Sequence, residues 1–305
     1  MIWGIAFTLL LWFANPEVTN DEKLFARVYP EREPVPEDWL ERCAYEENQW
    51  WLDRKLNYNN NDMVDQLLRE EYIEDPKVEQ VMREVDRGDF IHKKWYNLTD
   101  KYDVAERSIE YGAAIWDPEL HAYSLGEYKN HFKINGKVLN IGSGSGIMLP
   151  MFLKMMNNTG TVVGVEHVKE IYQNSKKALE KNYKKYLENG QIKLVLGDGR
   201  KGYNSSERYD VLHVGWVTSF PPREIINQLA VGGKMMIAIG PHIGKQRMRV
   251  IVRNSSKQIF SKHTLKFMTQ PLWSLEYHIQ KMMSHPNRTQ DFDLWNTTEV
   301  VRTDY

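Results

Sequence analysis

Apolar positions change their period twice along the chain. Residues 2–13 form an apolar run without charge. At twelve residues it is shorter than the ~20 that a bilayer span needs. It matches the core of a secretory signal peptide, with Ala14 as a small residue near the cleavage point. No period holds over 15–36, where Pro16, Pro30, Pro34 and Pro36 stand among glutamates and predict an extended lead. Residues 37–56 fit an amphipathic helix carrying Trp39, Trp50 and Trp51, and the polar run 57–61 breaks it. Met63, Val64, Leu67 and Leu68 then recur at helical spacing. Asp75-Pro76 opens another helix with Val78, Val81, Met82 and Val85 on one face, ended at 86–89 around Gly88.

From residue 137 the pattern becomes short apolar runs alternating with longer helical periods. Strands are predicted at 137–141, 161–166, 191–196, 210–214 and 234–239, and helices at 147–156, 168–187 and 222–229. This alternation predicts an α/β fold, a mostly parallel sheet with helices on both faces. Residues 249–253 and 265–270, joined across 254–257, add a C-terminal antiparallel strand pair. The organisation is a signal peptide (1–14), an acidic Pro/Glu-rich lead and helix (15–59), one α/β domain (60–280) and a tail without period (281–305).

Composition narrows the class. With 305 residues, 42% hydrophobic and 27% charged, the chain is globular rather than disordered or collagen-like. A net charge of −1 gives no basic surface for nucleic acid. The charge is uneven: residues 15–75 carry seventeen Asp/Glu against seven Lys/Arg, and the remainder is mildly basic. A single cysteine, Cys43, excludes a disulfide framework and any multi-cysteine metal site. No acidic and histidine cluster has metal-ligand spacing, so no metal is expected. N-x-S/T sequons occur at Asn97, Asn157, Asn204, Asn254, Asn287 and Asn296, about three times the roughly two expected by chance. Together with residues 1–14 they point to the secretory pathway and N-glycosylation, with a cytoplasmic location as the alternative. No membrane span and a monomeric state are expected.

The candidate chemistry is in Asn140-Ile-Gly-Ser-Gly-Ser-Gly146, which follows the first strand and opens a helix. Glycines there let a ligand approach the backbone. A dinucleotide fingerprint needs glycine where Ile147 stands. The G-x-G-x-G form of Gly142, Gly144 and Gly146 suits S-adenosylmethionine, which has no pyrophosphate to cradle. Glu166 ends the second strand, where a carboxylate can accept both ribose hydroxyls. Asp198, in Gly197-Asp198-Gly199 after the third strand, can accept from the adenine amino group.

Six ordered blocks make the chain resemble the protein-L-isoaspartate O-methyltransferases: VDRGDFIH (85–92), NIGSGSGI (140–147), GTVVGVEHVKE (160–170), LGDGRKGY (196–203), YDVLHVG (209–215) and LAVGGKMMIAIGP (229–241). The resemblance covers about 60–275. It implies a Rossmann-like methyltransferase fold that uses S-adenosylmethionine to methylate the free α-carboxylate of L-isoaspartyl residues in damaged proteins. The ester then closes to a succinimide, part of which reopens to aspartate. A carboxylate is ionised at neutral pH, so the transfer needs placement in line with the methyl rather than a general base. By the resemblance, Gly142, Ser143, Gly144 and Gly146 line the aminoacyl end of the cofactor, and Asn140 stands at the foot of the loop. Glu166 takes the ribose with His167 beside it, Asp198 and Gly199 face the adenine, and His121 lies near the cofactor.

The chain departs from the family mainly around the substrate. Ile115-Trp116-Asp117-Pro118-Glu119-Leu120-His121 stands where the family has Ile-Ser-Ala-Pro-His-Met-His. Trp116 replaces the serine that contacts the reacting carboxylate, and its ring is expected in the slot the substrate enters. Asp117 and Glu119 add negative charge there. Asn140 replaces the usual acid, and Trp216-Val-Thr-Ser219 replaces small residues as a pocket wall. Two readings follow: an isoaspartyl methyltransferase acting on proteins or peptides, or a catalytically impaired adenosylmethionine-binding protein.

Overall fold

The computed structural model of the chain describes residues 57–91, 96, 98–204, 206–219, 222–240, 246–254 and 259–267. The expected signal peptide, most of the lead with Trp39, Cys43, Trp50 and Trp51, the sequons at Asn97, Asn287 and Asn296, and the tail lie outside these residues.

Helix α1 (Asn60–Arg69) starts inside the polar run expected to be a break. Asn59 caps it, its side chain accepting from the backbone N–H of Asn61 at 2.9 Å and of Asp62 at 3.0 Å. Asn60 turns inward. Its amide donates to the carbonyls of Met82 and Arg83, and its Oδ1 accepts from the N–H of Arg87. Helix α2 (Pro76–Glu84) begins as the sequence predicts, with Asp75 accepting from Lys77 N–H at 2.8 Å and Pro76 in the first turn. Met63, Val64 and Leu67 of α1 and Val78, Val81 and Met82 of α2 are buried stripes.

A short helix α3 (Leu98–Tyr102) and a hairpin of β1 (Arg107–Ser108) and β2 (Ala114–Ile115) follow. Helix α4 (Pro118–Tyr128) is capped by Asp117, whose Oδ1 accepts from Leu120 N–H at 2.7 Å. The main sheet contains β3 (Lys137–Ile141), β4 (Thr161–Glu166), β5 (Ile192–Leu196), β6 (Tyr209–Thr218), β7 (Leu229–Ile239), β8 (Gln246–Arg253) and β9 (Ile259–Phe267), in the order β5-β4-β3-β6-β7-β8-β9. Helices α5 (Met148–Met155), α6 (Lys169–Glu188) and α7 (Arg223–Asn227) connect the parallel strands. Strands β5, β4, β3, β6 and β7 pair in parallel, and β7 pairs antiparallel with β8. The α/β expectation is met.

Several boundaries differ from the sequence pattern. Strand β6 continues past 214 to Thr218, and β7 begins at Leu229 instead of 234. Leu229 pairs with Tyr209, while Gly232 and Gly233 interrupt the apolar run that would have revealed the strand. The helix expected over 222–229 is shortened accordingly. The last strand lies at Ile259–Phe267 rather than 265–270. The central strands are buried on both faces, as parallel sheets require: Val138, Leu139, Ile141, Val162, Val211, Leu212 and Val214 are inaccessible. From α4, Tyr128 enters this core, its hydroxyl donating to Leu212 O and accepting from Met236 N–H, both at 2.9 Å. Among the described residues, no helix is long and apolar enough to cross a membrane.

Candidate functional site

The strand order reverses between β3 and β6, and in open α/β sheets the crevice at the carboxyl ends of such strands is where ligands bind. The glycine loop leaves β3 at this point. Gly142, Gly144 and Gly146 have φ of 67°, 53° and 85°, a region that strains other residues. Two successive N–H groups, of Gly142 and Ser143, donate to Val165 O at 2.9 and 3.1 Å and pin the turn to β4. On the other side of the loop, a Cβ at Gly146 would lie 3.2 Å from Ser175 Cβ of α6.

Glu166 closes the loop from the end of β4. Its Oε2 accepts from Gly144 N–H at 3.0 Å, and its Oε1 from His167 and Val168 N–H at 2.8 and 2.9 Å. The side chain is fully buried, which pushes its carboxyl above the usual range against the pull of these three amides. Both oxygens expected to accept from ribose hydroxyls are engaged by backbone amides in this structure. Glu166 staples the loop, and of about four lone-pair directions one remains. Asp198 is half-exposed and bound to Arg200 through Nε and Nη2, which holds its carboxyl below the usual range. Its acceptor face for an adenine is shared with that guanidinium. At Gly199 a Cβ would lie 2.4 Å from Ile141 Cγ2, so this glycine serves the packing of the turn on β3. Two buried polar atoms beside the loop, Asn140 Oδ1 and Ser143 Oγ, make no hydrogen bond. Positive-φ glycines, one acceptor left on Glu166 and these two polar atoms fit a polar ligand held at the loop.

Of the residues expected on the substrate side, Trp116 packs against β6 through His213. Trp116 is 8% exposed, and its ring lies edge-on to His213 at 5.2 Å between centroids. His213 is level with Asn140 on the neighbouring strand and also packs against Tyr128 and Phe152. Trp116 is thus a buried ring packed against β6. Asp117, expected as a repulsive charge beside the substrate, caps α4. Ile115 is buried in the hairpin. His121 is buried too, and desolvation together with Arg87 and His213 holds its imidazole neutral. His213 is pushed down to about 3 by burial.

Two features escaped the sequence reading. The first is Arg87, a fully buried guanidinium that donates to Trp116 O at 2.7 Å and to Ala105 O at 2.9 Å, clamping both ends of the β1–β2 hairpin. Burial lowers it to about 10. Beside it, Glu106 is pushed up to about 7 by burial and by Asp117. The second is a bulge in β6. Val214 pairs with Ile237 and Val217 with Ala238, so Gly215 and Trp216 are extra residues that bend the strand over the loop. A Cβ at Gly215 would lie 2.6 Å from Gly142 O. The Trp216 indole lies against Gly142 and at 5.9 Å between centroids from the His167 ring. The only advance signal was Gly215 at the end of an apolar run. Among the described residues, no three His, Cys, Asp or Glu converge as a metal site.

Comparison with known proteins places this architecture. A Plasmodium falciparum chain, described as a protein-L-isoaspartate O-methyltransferase in complex with S-adenosyl-L-homocysteine, superposes with a TM-score of 0.65. It is 24% identical and covers 71% of this chain and 99% of its own. At that identity the likeness is one of fold. A Caenorhabditis elegans protein-L-isoaspartate O-methyltransferase is 33% identical over 193 residues, 63% of this chain and 83% of that protein. Arabidopsis thaliana protein-L-isoaspartate O-methyltransferase 1 is 30% identical over 233 residues, 76% of this chain and 98% of that protein. Residues 58–276 match the family model for protein-L-isoaspartate(D-aspartate) O-methyltransferase, a span that contains the glycine loop, Glu166, Asp198 and the β6 bulge, and the chain therefore belongs to that family.

Proposed function

We propose that this chain transfers a methyl group from S-adenosylmethionine to the free α-carboxylate of L-isoaspartyl residues in damaged proteins. The observation that carries this reading is the family match over 58–276, with the left-handed glycine loop at the switch point inside it. When bound, the cofactor supplies an electrophilic methyl on a sulfonium. The chain's own part is binding and placement. Gly142, Ser143, Gly144 and Gly146 would hold the aminoacyl end, with Asn140 Oδ1 and Ser143 Oγ as free polar atoms beside them. The remaining acceptor of Glu166, His167 and Asp198 would line the nucleoside. Because the attacking carboxylate is already ionised, the buried neutral His121 and His213 are not needed as bases. The hairpin held by Arg87 sets the position of Ile115 and Trp116 beside the crevice.

A secretory location with N-glycosylation is part of the same proposal. Its support is the apolar run 2–13, the six sequons, and the exposure of Asn157, Asn204 and Asn254 in turns and loops. Expression in a secreting eukaryotic host tests it: an N-glycosidase should lower the mass, and an unchanged mass refutes glycosylation.

The deciding experiment for the activity is methyl transfer to an isoaspartyl peptide with the aspartyl peptide as control. Selective turnover is expected. No turnover on either peptide by a folded sample overturns the activity.

A further inference from the structure

Gly142 is the first glycine of the loop, the one that makes its tight turn, and its missing side chain leaves space at the rim of the crevice. In this structure that space is filled by the chain itself. The position of a Cβ at Gly142 lies 1.6 Å from Trp216 Nε1 and 1.8 Å from its Cδ1. The same indole meets the His167 ring at 60°, so it bridges from the loop after β3 to the end of β4. It is 4% exposed. An indole is a flat fused bicycle close in size to a purine, and this one touches both segments assigned to the cofactor.

The local backbone explains how the ring gets there and how it can leave. Trp216 rides on the β6 bulge, one of two places where β6 and β7 fall out of register. Gly215 precedes it and presses on Gly142 O, an approach that no larger residue allows. The bulge therefore aims the ring at the loop. The ring is a side chain carried by β6, whereas Gly142 follows β3 and Glu166 ends β4, so uncovering Gly142 asks for movement of the indole.

We propose that Trp216 is a built-in competitor for the cofactor crevice: the adenosylmethionine class of ligand seats only when the indole swings away from Gly142, so this residue sets the chain's affinity for it. The proposal rests on the cofactor reading above. The apparent dissociation constant is the intrinsic one divided by the fraction of molecules with the ring displaced. A ring that is in place nine times out of ten weakens binding about tenfold.

Calorimetric titration of the full chain with S-adenosylhomocysteine tests this, using the unaltered chain, Trp216→Ala and Trp216→Phe, each checked for folding by circular dichroism. Trp216→Ala should bind at least tenfold tighter, with Trp216→Phe in between. Equal or weaker binding by Trp216→Ala overturns the competitor role while leaving the cofactor reading in place. Absence of binding in all three, folded, overturns both. Should Trp216→Ala fail to fold, Trp216→Phe decides: threefold tighter binding supports the proposal, and equal or weaker binding sinks it.

Discussion

Trp116 and Glu106 show how burial reassigns a residue. As a sequence position, Trp116 stands where a small donor is expected, and removing its ring should open the pocket. In the fold its ring is packed on His213 and its carbonyl is held by Arg87. Trp116→Ser should therefore lose about 3–5 kcal/mol of stability, the range for emptying a large core site, rather than gain methyl transfer. Denaturant unfolding of the variant checks this. Glu106 titrates near 7, so the folded state keeps its proton where the unfolded chain, near 4.5, has lost it. Between those values the unfolded state binds fewer protons, and stability must fall as pH rises, fully so above about 7. Glu106→Gln should flatten that slope and raise stability at pH 8 by roughly 2–3 kcal/mol. Melting curves from pH 4.5 to 8 read this directly.

At the scale of elements, side chains reach between segments that the sequence pattern treats as separate. Tyr128 of α4 inserts its hydroxyl between β6 and β7, a bond at 2.9 Å to each. Tyr128→Phe leaves Met236 N–H and Leu212 O without this partner, and should cost about 1–3 kcal/mol, measured by chemical unfolding. Asp117 belongs to α4 as its cap, so Asp117→Ala should cost about 1 kcal/mol, while Asp117→Asn should recover most of that. The elements themselves were largely legible in the sequence. Alternating apolar runs gave β3, β4 and β5 within a residue, because each is a short buried strand bounded by loops. The start of β7 was not legible, since Gly232 and Gly233 mask it. The end of β6 was not legible either, since a bulge leaves no periodic trace.

For the whole molecule, the crevice forms where β3 and β6 separate the two halves of the sheet, with the loop, the Glu166 staple and the bulge all on its rim. A ligand bound only by the native state must raise stability. Saturating S-adenosylhomocysteine, at a hundred times its dissociation constant, should add about 2.7 kcal/mol and a corresponding rise in Tm. Gly142→Ala should abolish that rise, because a Cβ at φ 67° strains the turn that shapes the loop for the ligand. Thermal shift with and without the ligand decides it.

Sequence alone determined the α/β class and the glycine loop, because these depend on local spacing: periods of two and 3.6, and glycines at fixed offsets after a strand; the family was legible only through the six ordered blocks that resemble it. It also marked Glu166, Asp198, Trp116 and Trp216 as the residues to watch. Their roles were decided by tertiary structure. Glu166 turned inward because the loop's amides needed an acceptor in the core, and Trp116 packed edge-on against His213 because a buried surface was available there. Trp216 came over Gly142 because two residues of β6 fell out of register with β7. Which groups meet across a crevice depends on strands brought together from distant parts of the chain, and no local period encodes that distance.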